Sequence, residues 1–594
     1  MRVREHREEL VLRLPVLRAV FSTLLVLVGG AYWFVQVVHG DFYLDLAENN
    51  RLRKYPLKAP RGLIRDRVGR LLVRNIPSYD LLMARDLSTD VQGSLTFAAK
   101  TLDLPFEELE AVLRSGKSKN QFRPTLLAED LSLSQVAKFS AQALGHPEFE
   151  IEVGHRRLNV QGPNTAHFLG YLREVSAADL ARPGTSYRAG DLIGRTGIEE
   201  AFDARLRGRD GERVVTVDSR GRPRRETRSK LALPGEDLTL TLDLELQEEA
   251  ARYFIGRVGA VVALDPKSGE VLTLYSAPSY DPNLFSRRLD YAEWQELLAD
   301  ANHPLQNRSI QSTYSPGSIF KIVVALAGLG EGVIDPVETV RCTGSTKIYG
   351  RRFRCWKRAG HGRVNLHKAI KESCDIYFYY LGQTLGIERI ARYARILGLG
   401  QKVNLDIAGE KAGLIPDIKW KLRARGEPWF PGETISVAIG QGPVLVTPLQ
   451  LAAMMSTIAN GGYRVLPHGL MGSGKTATQP IDLNPAHLAR VKRALWSVVN
   501  EGGTGASAFV EGLDVVGKTS TVQVIEQKTW VNNRDLPFKQ RDHAWFVSFA
   551  TLGERQLAVA VFVEHGGAGS RVAAPLAKNL YEIYFRDQLA LLSP

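Results

Sequence analysis

From Val16 to His39 almost every position is apolar, a run long enough for a helix to cross a bilayer. Arg2, Arg4, Arg7, Arg13 and Arg18 precede or open the run, and the positive-inside rule then puts the N-terminus in the cytoplasm. A cleaved signal peptide would have a shorter apolar core ending in a small-x-small site. Here the run continues through Tyr32-Trp33-Phe34-Val35, which reads as an aromatic interface belt. The expectation is a tail (1–15) and an uncleaved single-pass anchor (16–39), with the chain after Gly40 outside. Shorter apolar segments such as Ile322 to Leu329 read as core helix.

Beyond the anchor the pattern alternates between strand-like and helix-like stretches. Asp41 to Pro60 reads as a membrane-proximal helix and a linker. Arg61 to Leu72 alternates around Asp66-Arg67-Val68-Gly69, which predicts a hairpin. Periodic apolar residues from about Leu95 to Leu144 predict a helical insert forming a separate head, bounded at about 80–150. The break at Leu233-Pro234-Gly235-Glu236 marks a domain boundary, dividing 40–234 from 235–594. After it come a strand over Leu238 to Leu242, a helix over Leu244 to Phe254, and strands over Gly259 to Leu264 and Val271 to Tyr275. The C-terminal part predicts strands over Ala544 to Phe549 and Gln556 to Glu564, then a helix over Leu576 to Leu589 with Pro575 at its start. The implied class is α+β, a mostly antiparallel sheet covered by helices.

Composition changes this picture little. The chain has 594 residues, 44% hydrophobic and 24% charged, which is ordinary for a globular protein of several domains. The net charge of +13 is spread along the length, with no dense basic tract to bind nucleic acid. It reads either as a solvated basic surface or as attraction to an anionic polymer or membrane surface.

The candidate chemistry centres on Tyr314-Ser315-Pro316-Gly317-Ser318-Ile319-Phe320-Lys321. Pro-Gly predicts a turn into a helix, and residues three apart share a helix face, so Ser318 and Lys321 can touch. A serine hydroxyl becomes a nucleophile when a base takes its proton, and a neutral lysine is such a base. The helix N-terminus favours negative charge developing beside it. Ser-x-x-Lys alone is common by chance. Two more segments raise its meaning: Ser373-Cys374-Asp375, and Lys518-Thr519-Ser520-Thr521 inside a strand-like stretch.

In order and spacing these three resemble the signature of the penicillin-recognising serine acyltransferases, S-x-x-K, S-x-N/D and K-T-G. From Asp237 onward the chain resembles a penicillin-binding transpeptidase domain. Arg61 to Leu72, Arg156 to Tyr171 and Gly194 to Glu199 resemble three blocks of the non-catalytic pedestal of class B penicillin-binding proteins. Their charged residues read as ties between pedestal and catalytic domain. His167, alone among apolar residues, reads as structural. Cys355 to Gly362, Asp542 to Phe546 and Val563 to Gly567 resemble the elongation-specific branch.

The resemblance implies roles. Ser318 would attack a peptide carbonyl, with Lys321 as base and Lys518 supplying a nearby positive charge. Ser373 would pass a proton to the leaving amine, and Asp375 would orient Lys321. Thr519, Ser520 and Thr521 would line the substrate side, Lys518 and Thr519 facing a carboxylate. The backbone N–H groups of Ser318 and Thr521 would form an oxyanion hole. Ser520 departs from the family's glycine, which bears on substrate fit and penicillin affinity.

The resemblance further implies a peptidoglycan D,D-transpeptidase of cell elongation, covalently inhibited by β-lactams. Its partners would be a RodA-like SEDS glycosyltransferase, MreC-like elongation proteins and stem peptides, with no cofactor needed for the chemistry. Two alternatives remain: a scaffold that activates the glycosyltransferase with weak catalysis, or a carboxypeptidase- or β-lactamase-like hydrolase.

Cys342, Cys355 and Cys374 are the only cysteines, and His361 lies among them. Outside the membrane thiols tend to oxidise, so one reading is a Cys342–Cys355 disulfide with Cys374 unpaired. The other is a structural zinc held by the three thiolates and the imidazole.

Overall fold

The computed structural model describes residues 2–43, 52–115, 124–188, 190–217, 223–287, 289, 291–473, 479–525 and 533–591. The chain divides into two compact units. The first, 1–61 with 207–235, holds the N-terminal helix Arg2–Trp33, which runs on into a π-helical segment Phe34–Val38. Among the described residues this is the one helix long and apolar enough to cross a membrane, over Leu14–Val38. Part of the segment expected to form a membrane-proximal helix, 44–51, lies outside the described residues. Residues 41–43 are helical, as expected. Leu52–Leu57 departs from the expectation and is a strand, because it pairs antiparallel with Gly211–Val217, which in turn pairs with Pro223–Lys230.

The second unit, 62–206 with 236–594, contains the rest of the pedestal and the catalytic region. The expected hairpin is Ile64–Arg65 against Leu71–Met83. Asp66 closes its turn by accepting from the N–H groups of Val68 at 3.1 Å and Arg70 at 2.8 Å. Gly69 takes φ +90°, a conformation costly for a side chain. Leu71–Met83 continues as a long strand pairing with Phe149–Asn159 and, at its far end, with Thr125–Ala128. The head therefore contains a strand besides the helices Val91–Leu102, Phe106–Ser115 and Leu133–Gln142, all packed on one apolar cluster around Leu95, Leu109 and Phe139.

Pedestal residues are tied to the catalytic region by side chains. Arg67 pairs with Glu270 at 3.4 Å and Arg70 with Glu245 at 3.6 Å. Asn159 and Asn283 exchange backbone–side-chain bonds of 2.8 and 3.0 Å. His167 is buried edge-on against Tyr280, and burial lowers its pKa to about 4, which keeps it neutral.

The catalytic region is built on a five-stranded antiparallel sheet in the order Val271–Ala277, Gly259–Leu264, Arg555–Val563, His543–Leu552, Asp514–Val522. Side chains alternate between its faces. Val262, Trp545, Val547 and Phe549 enter the core on one face, with the helices Lys321–Gly330 and Pro448–Ala459. Val261, Ala263, Phe546 and Ala550 enter the core on the other, with Leu244–Tyr253 and Ala574–Tyr584. Both faces are covered, so these strands read as nearly continuous apolar runs. The strand expected over Leu238 to Leu242 is only Leu238–Thr239, because Leu240 turns away to bridge Leu470. The expected last helix ends at Tyr584 and restarts as Arg586–Ala590. Asp514–Val522 is the edge strand and forms one wall of the site.

Candidate active site

Ser318 lies in a 3-10 turn, Gly317–Phe320, that leads directly into the buried helix Lys321–Gly330. In 3-10 geometry side chains at i and i+3 eclipse, which stacks Ser318 over Lys321. The turn is anchored on several sides. The N–H of Gly317 donates to the Gly440 carbonyl at 3.0 Å, and Trp545 Nε1 donates to the Ser315 carbonyl at 3.1 Å. Tyr314 exchanges backbone bonds of 2.9 Å with Val446.

Ser373 and Asp375 meet the end of Lys321. Lys321 Nζ donates to Asp375 Oδ1 at 2.6 Å, to the Ser373 carbonyl at 2.9 Å and to Ser373 Oγ at 3.2 Å. Among the described residues the Ser318 hydroxyl makes no hydrogen bond to Lys321. Catalytic bonds of this kind often tighten only when substrate is bound. The local chain explains the placement of Ser373. The helix Leu366–Lys371 ends with Cys374 N–H bonding back to the Ala369 carbonyl, and Ser373 sits at φ +56° in the left-handed region. That conformation is strained for a non-glycine residue and turns its carbonyl and hydroxyl toward the lysine. Asp375 opens the next helix, Asp375–Leu385, and its other oxygen accepts from the Trp356 N–H at 2.9 Å.

Lys518 is fully buried on the edge strand, with Nζ bonded to the Thr519 carbonyl at 3.2 Å. Burial, then the charge of Lys321, pushes its pKa well below the ordinary lysine value. Thr519 is buried, and its hydroxyl donates to Thr504 at 2.7 Å. Thr521 is exposed. Ser520 differs from expectation most. Its Oγ accepts the N–H of Ser318 at 2.9 Å, so one expected oxyanion donor is already engaged by a side chain.

Sequence reasoning missed the cluster behind Ser318. Glu564 accepts from Tyr314 Oη at 2.7 Å and from Arg308 Nε at 2.9 Å. Burial works to raise the pKa of Glu564, but the Tyr314 bond and the Arg308 charge outweigh it and hold the carboxylate ionised. Burial and Glu564 push Tyr314 up. Glu564 and Tyr314 both lay in segments the sequence singled out, but nothing local marked them as partners.

The four metal candidates also come together. Cys342, Cys355, His361 and Cys374 are all buried, with one ligand atom from each within 4.8 Å of the others. His361 Nδ1 is 3.5 Å from both Cys342 Sγ and Cys355 Sγ. All three cysteines are free, so the Cys342–Cys355 disulfide is not formed. The bond between Cys355 and Cys374 draws the Cys355 thiol down, while that same bond and burial push Cys374 up. His361 Nε2 is buried without a hydrogen bond, 4.0 Å from Glu372. Three sulfurs and one imidazole, with the free ring nitrogen facing a carboxylate, fit zinc and its usual supporting group.

Comparison with known proteins agrees with this geometry. The model for the penicillin-binding protein transpeptidase domain matches residues 259–582, and that for the penicillin-binding protein dimerisation domain matches 56–240. Peptidoglycan D,D-transpeptidase MrdA of Haemophilus influenzae is 33% identical over 593 residues, covering 96% of this chain and 91% of the relative. The Helicobacter pylori penicillin-binding protein PBP2, solved in complex with MreC, superposes with a TM-score of 0.80 at 28% identity, covering 90% of this chain and 99% of that one. A structure titled for the coordination of polymerization and crosslinking by a peptidoglycan synthase complex gives a TM-score of 0.71 at 32% identity, covering 97% and 98%. The chain belongs to the penicillin-binding proteins that join a dimerisation domain to a transpeptidase domain.

Proposed function

We propose that this chain is a peptidoglycan D,D-transpeptidase acting through a serine acyl-enzyme. The observation that carries the reading is the convergence of the three motifs. Lys321 reaches Ser373 and Asp375 at 3.2 and 2.6 Å, while the Ser318 backbone touches the Lys518–Thr521 stretch. Lys321, in its neutral amine form, takes the proton of Ser318 as Oγ attacks the carbonyl between the two terminal D-alanines of a stem peptide. The C–N bond breaks, and the terminal D-Ala leaves with a proton passed through Ser373. An amine from a neighbouring stem then attacks the ester, forming the cross-link and returning the proton to Ser318 Oγ. Asp375 orients Lys321 throughout. Thr521, exposed beside Ser520, belongs to the oxyanion and substrate side.

Leu14–Val38 anchors the protein in the cytoplasmic membrane, with the N-terminus inside and the catalytic region outside. The partners are a SEDS-type glycosyltransferase and an MreC-like protein, in keeping with the named complexes of the related structures. Cys342, Cys355, His361 and Cys374 would hold a structural zinc beside the second motif. It would stiffen the loop carrying Ser373 and Asp375 and take no part in the chemistry. One zinc per chain and a lower melting temperature after chelation are expected; a metal-free protein of unchanged melting would remove zinc from the account.

The reading is tested by incubating the full chain in detergent with a fluorescent penicillin, beside Ser318→Ala. Covalent label on the wild type alone is expected. Equal label on both proteins would show that Ser318 is not the nucleophile.

A further inference from the structure

Ser520 bonds to the nucleophile loop at Ser318, although the two are 202 residues apart. Lys518, Ser520 and Val522 share one face of the edge strand, since strand side chains alternate. That face is turned to the Ser318 loop. A Cβ built on Gly317 would lie 2.3 Å from Ser520 Oγ and 2.8 Å from Val522 Cγ2. The hydroxyl is therefore pressed against the bare Cα of Gly317, itself at φ +54°. Ser520 is 2% exposed, so water does not compete for its place. From there Oγ accepts the Ser318 N–H at 2.9 Å.

Oxygen in that position is chemically meaningful. Attack by Ser318 converts a carbonyl into a tetrahedral centre bearing an oxyanion. The backbone N–H of the attacking serine is one donor placed to serve such a charge. In the structure that donor already has an acceptor of the same element at ordinary hydrogen-bond distance. A good bond to both oxygens at once is not available to one N–H. The acylating group must displace the Ser520 hydroxyl or do without the donor. Doing without a donor outright typically costs about 10²–10³ in rate.

We propose that Ser520 is the residue that sets the acylation rate of this enzyme, its hydroxyl acting as a built-in occupant of the oxyanion position that each acyl donor must displace. The proposal rests on Ser318 being the nucleophile. The effect falls on the bond-forming step and not on initial binding, because the contact is to the N–H that serves the developing charge. It applies alike to stem peptides and to β-lactams, since both pass through an oxyanion at the same carbon.

The test is a time course of acylation of the full chain by a fluorescent penicillin, over a range of concentrations, for wild type, Ser520→Ala, Ser520→Gly and Ser318→Ala. Ser520→Ala deletes the acceptor and keeps the Cβ; Ser520→Gly deletes both. The expected result is a limiting acylation rate raised about tenfold in both Ser520 variants, the scale of one displaced hydrogen bond, with the half-saturating concentration unchanged. Melting curves establish that each variant is folded. A limiting rate in Ser520→Ala equal to or below that of the wild type, with label still dependent on Ser318, would overturn the proposal. A lower rate would mean that the hydroxyl turns and donates to the oxyanion. Label on Ser318→Ala, or none on any folded variant, would instead overturn the acyl-enzyme reading on which the proposal stands.

Discussion

Two buried ion pairs in the same compact unit show how one kind of contact serves two ends. In the pedestal, Arg157 Nε meets Glu199 at 2.7 Å, with side chains 6% and 3% exposed. In the catalytic region, Lys321 Nζ meets Asp375 at 2.6 Å, with side chains 1% and 12% exposed. The distances and burial are alike; the cations are not. The Arg157 fork also bonds the Gly62 carbonyl at 2.7 Å and Asn75 at 3.0 Å, fixing three chain segments at once. A guanidinium cannot give up its proton, so that contact holds one state permanently. Lys321 instead reaches a carboxylate, a carbonyl and the hydroxyl of Ser373, a group able to receive or return a proton. The pedestal pair is a fastening, and in the proposed mechanism the catalytic pair is a fastening that also moves a proton.

Exchanging the cation breaks the comparison most sharply. Lys321→Arg keeps a positive charge opposite Asp375 but removes the proposed base. Acylation by a fluorescent penicillin is expected to fall about 10²–10⁴-fold, the usual worth of general acid–base catalysis, with melting close to wild type. Labelling at the wild-type rate would show that the lysine only fastens, as Arg157 does.

The converse change lies in the pedestal. Glu199→Gln leaves Arg157 buried opposite a neutral partner, and breaking a buried pair in this way costs about 3–5 kcal/mol. Denaturant unfolding should show that loss, while the folded fraction labels at the wild-type rate. A loss below about 1 kcal/mol, the range of surface pairs, would mean that the bonds of Arg157 to the Gly62 carbonyl and Asn75 Oδ1 carry the contact without its ion pair.

The same contrast marks how far the sequence could be read. Ser318 and Lys321 were legible because their relation is local, three residues on one turn. Ser373, Asp375 and Lys518 were legible because each stands in a short motif with a fixed neighbour. The strands Gly259–Leu264 and Arg555–Val563 were legible from apolar runs, since both sheet faces are buried. What escaped depends on distant partners. Leu52–Leu57 is a strand only because Gly211–Val217 returns beside it. Glu564 matters through Tyr314, 250 residues away. Ser520 stood out as a departure from glycine, but its bond to the Ser318 N–H required the approach of the edge strand to the turn.

The smallest predicted effect concerns protons outside the reaction. His167 in the pedestal and His543 in the edge-adjacent strand both have pKa values lowered to about 4, chiefly by burial. His543 is further lowered by His565. An unfolded histidine titrates near 6.5 and so binds a proton more readily than either of these. Stability from each group is therefore intact above about pH 6.5, declines as the pH falls, and is lost below about 4. For fully buried His167 the shift corresponds to about 3 kcal/mol at most. His543 is less enclosed and should contribute less. Unfolding measured from pH 7 down to 4 should show a decline that His167→Gln partly flattens, the remainder belonging to other groups, His543 among them. An acid limb unchanged by His167→Gln would mean that the pedestal opens locally to protonate this histidine without unfolding. The pedestal would then be the looser of the two regions, although its ion pair is buried much as the catalytic one is.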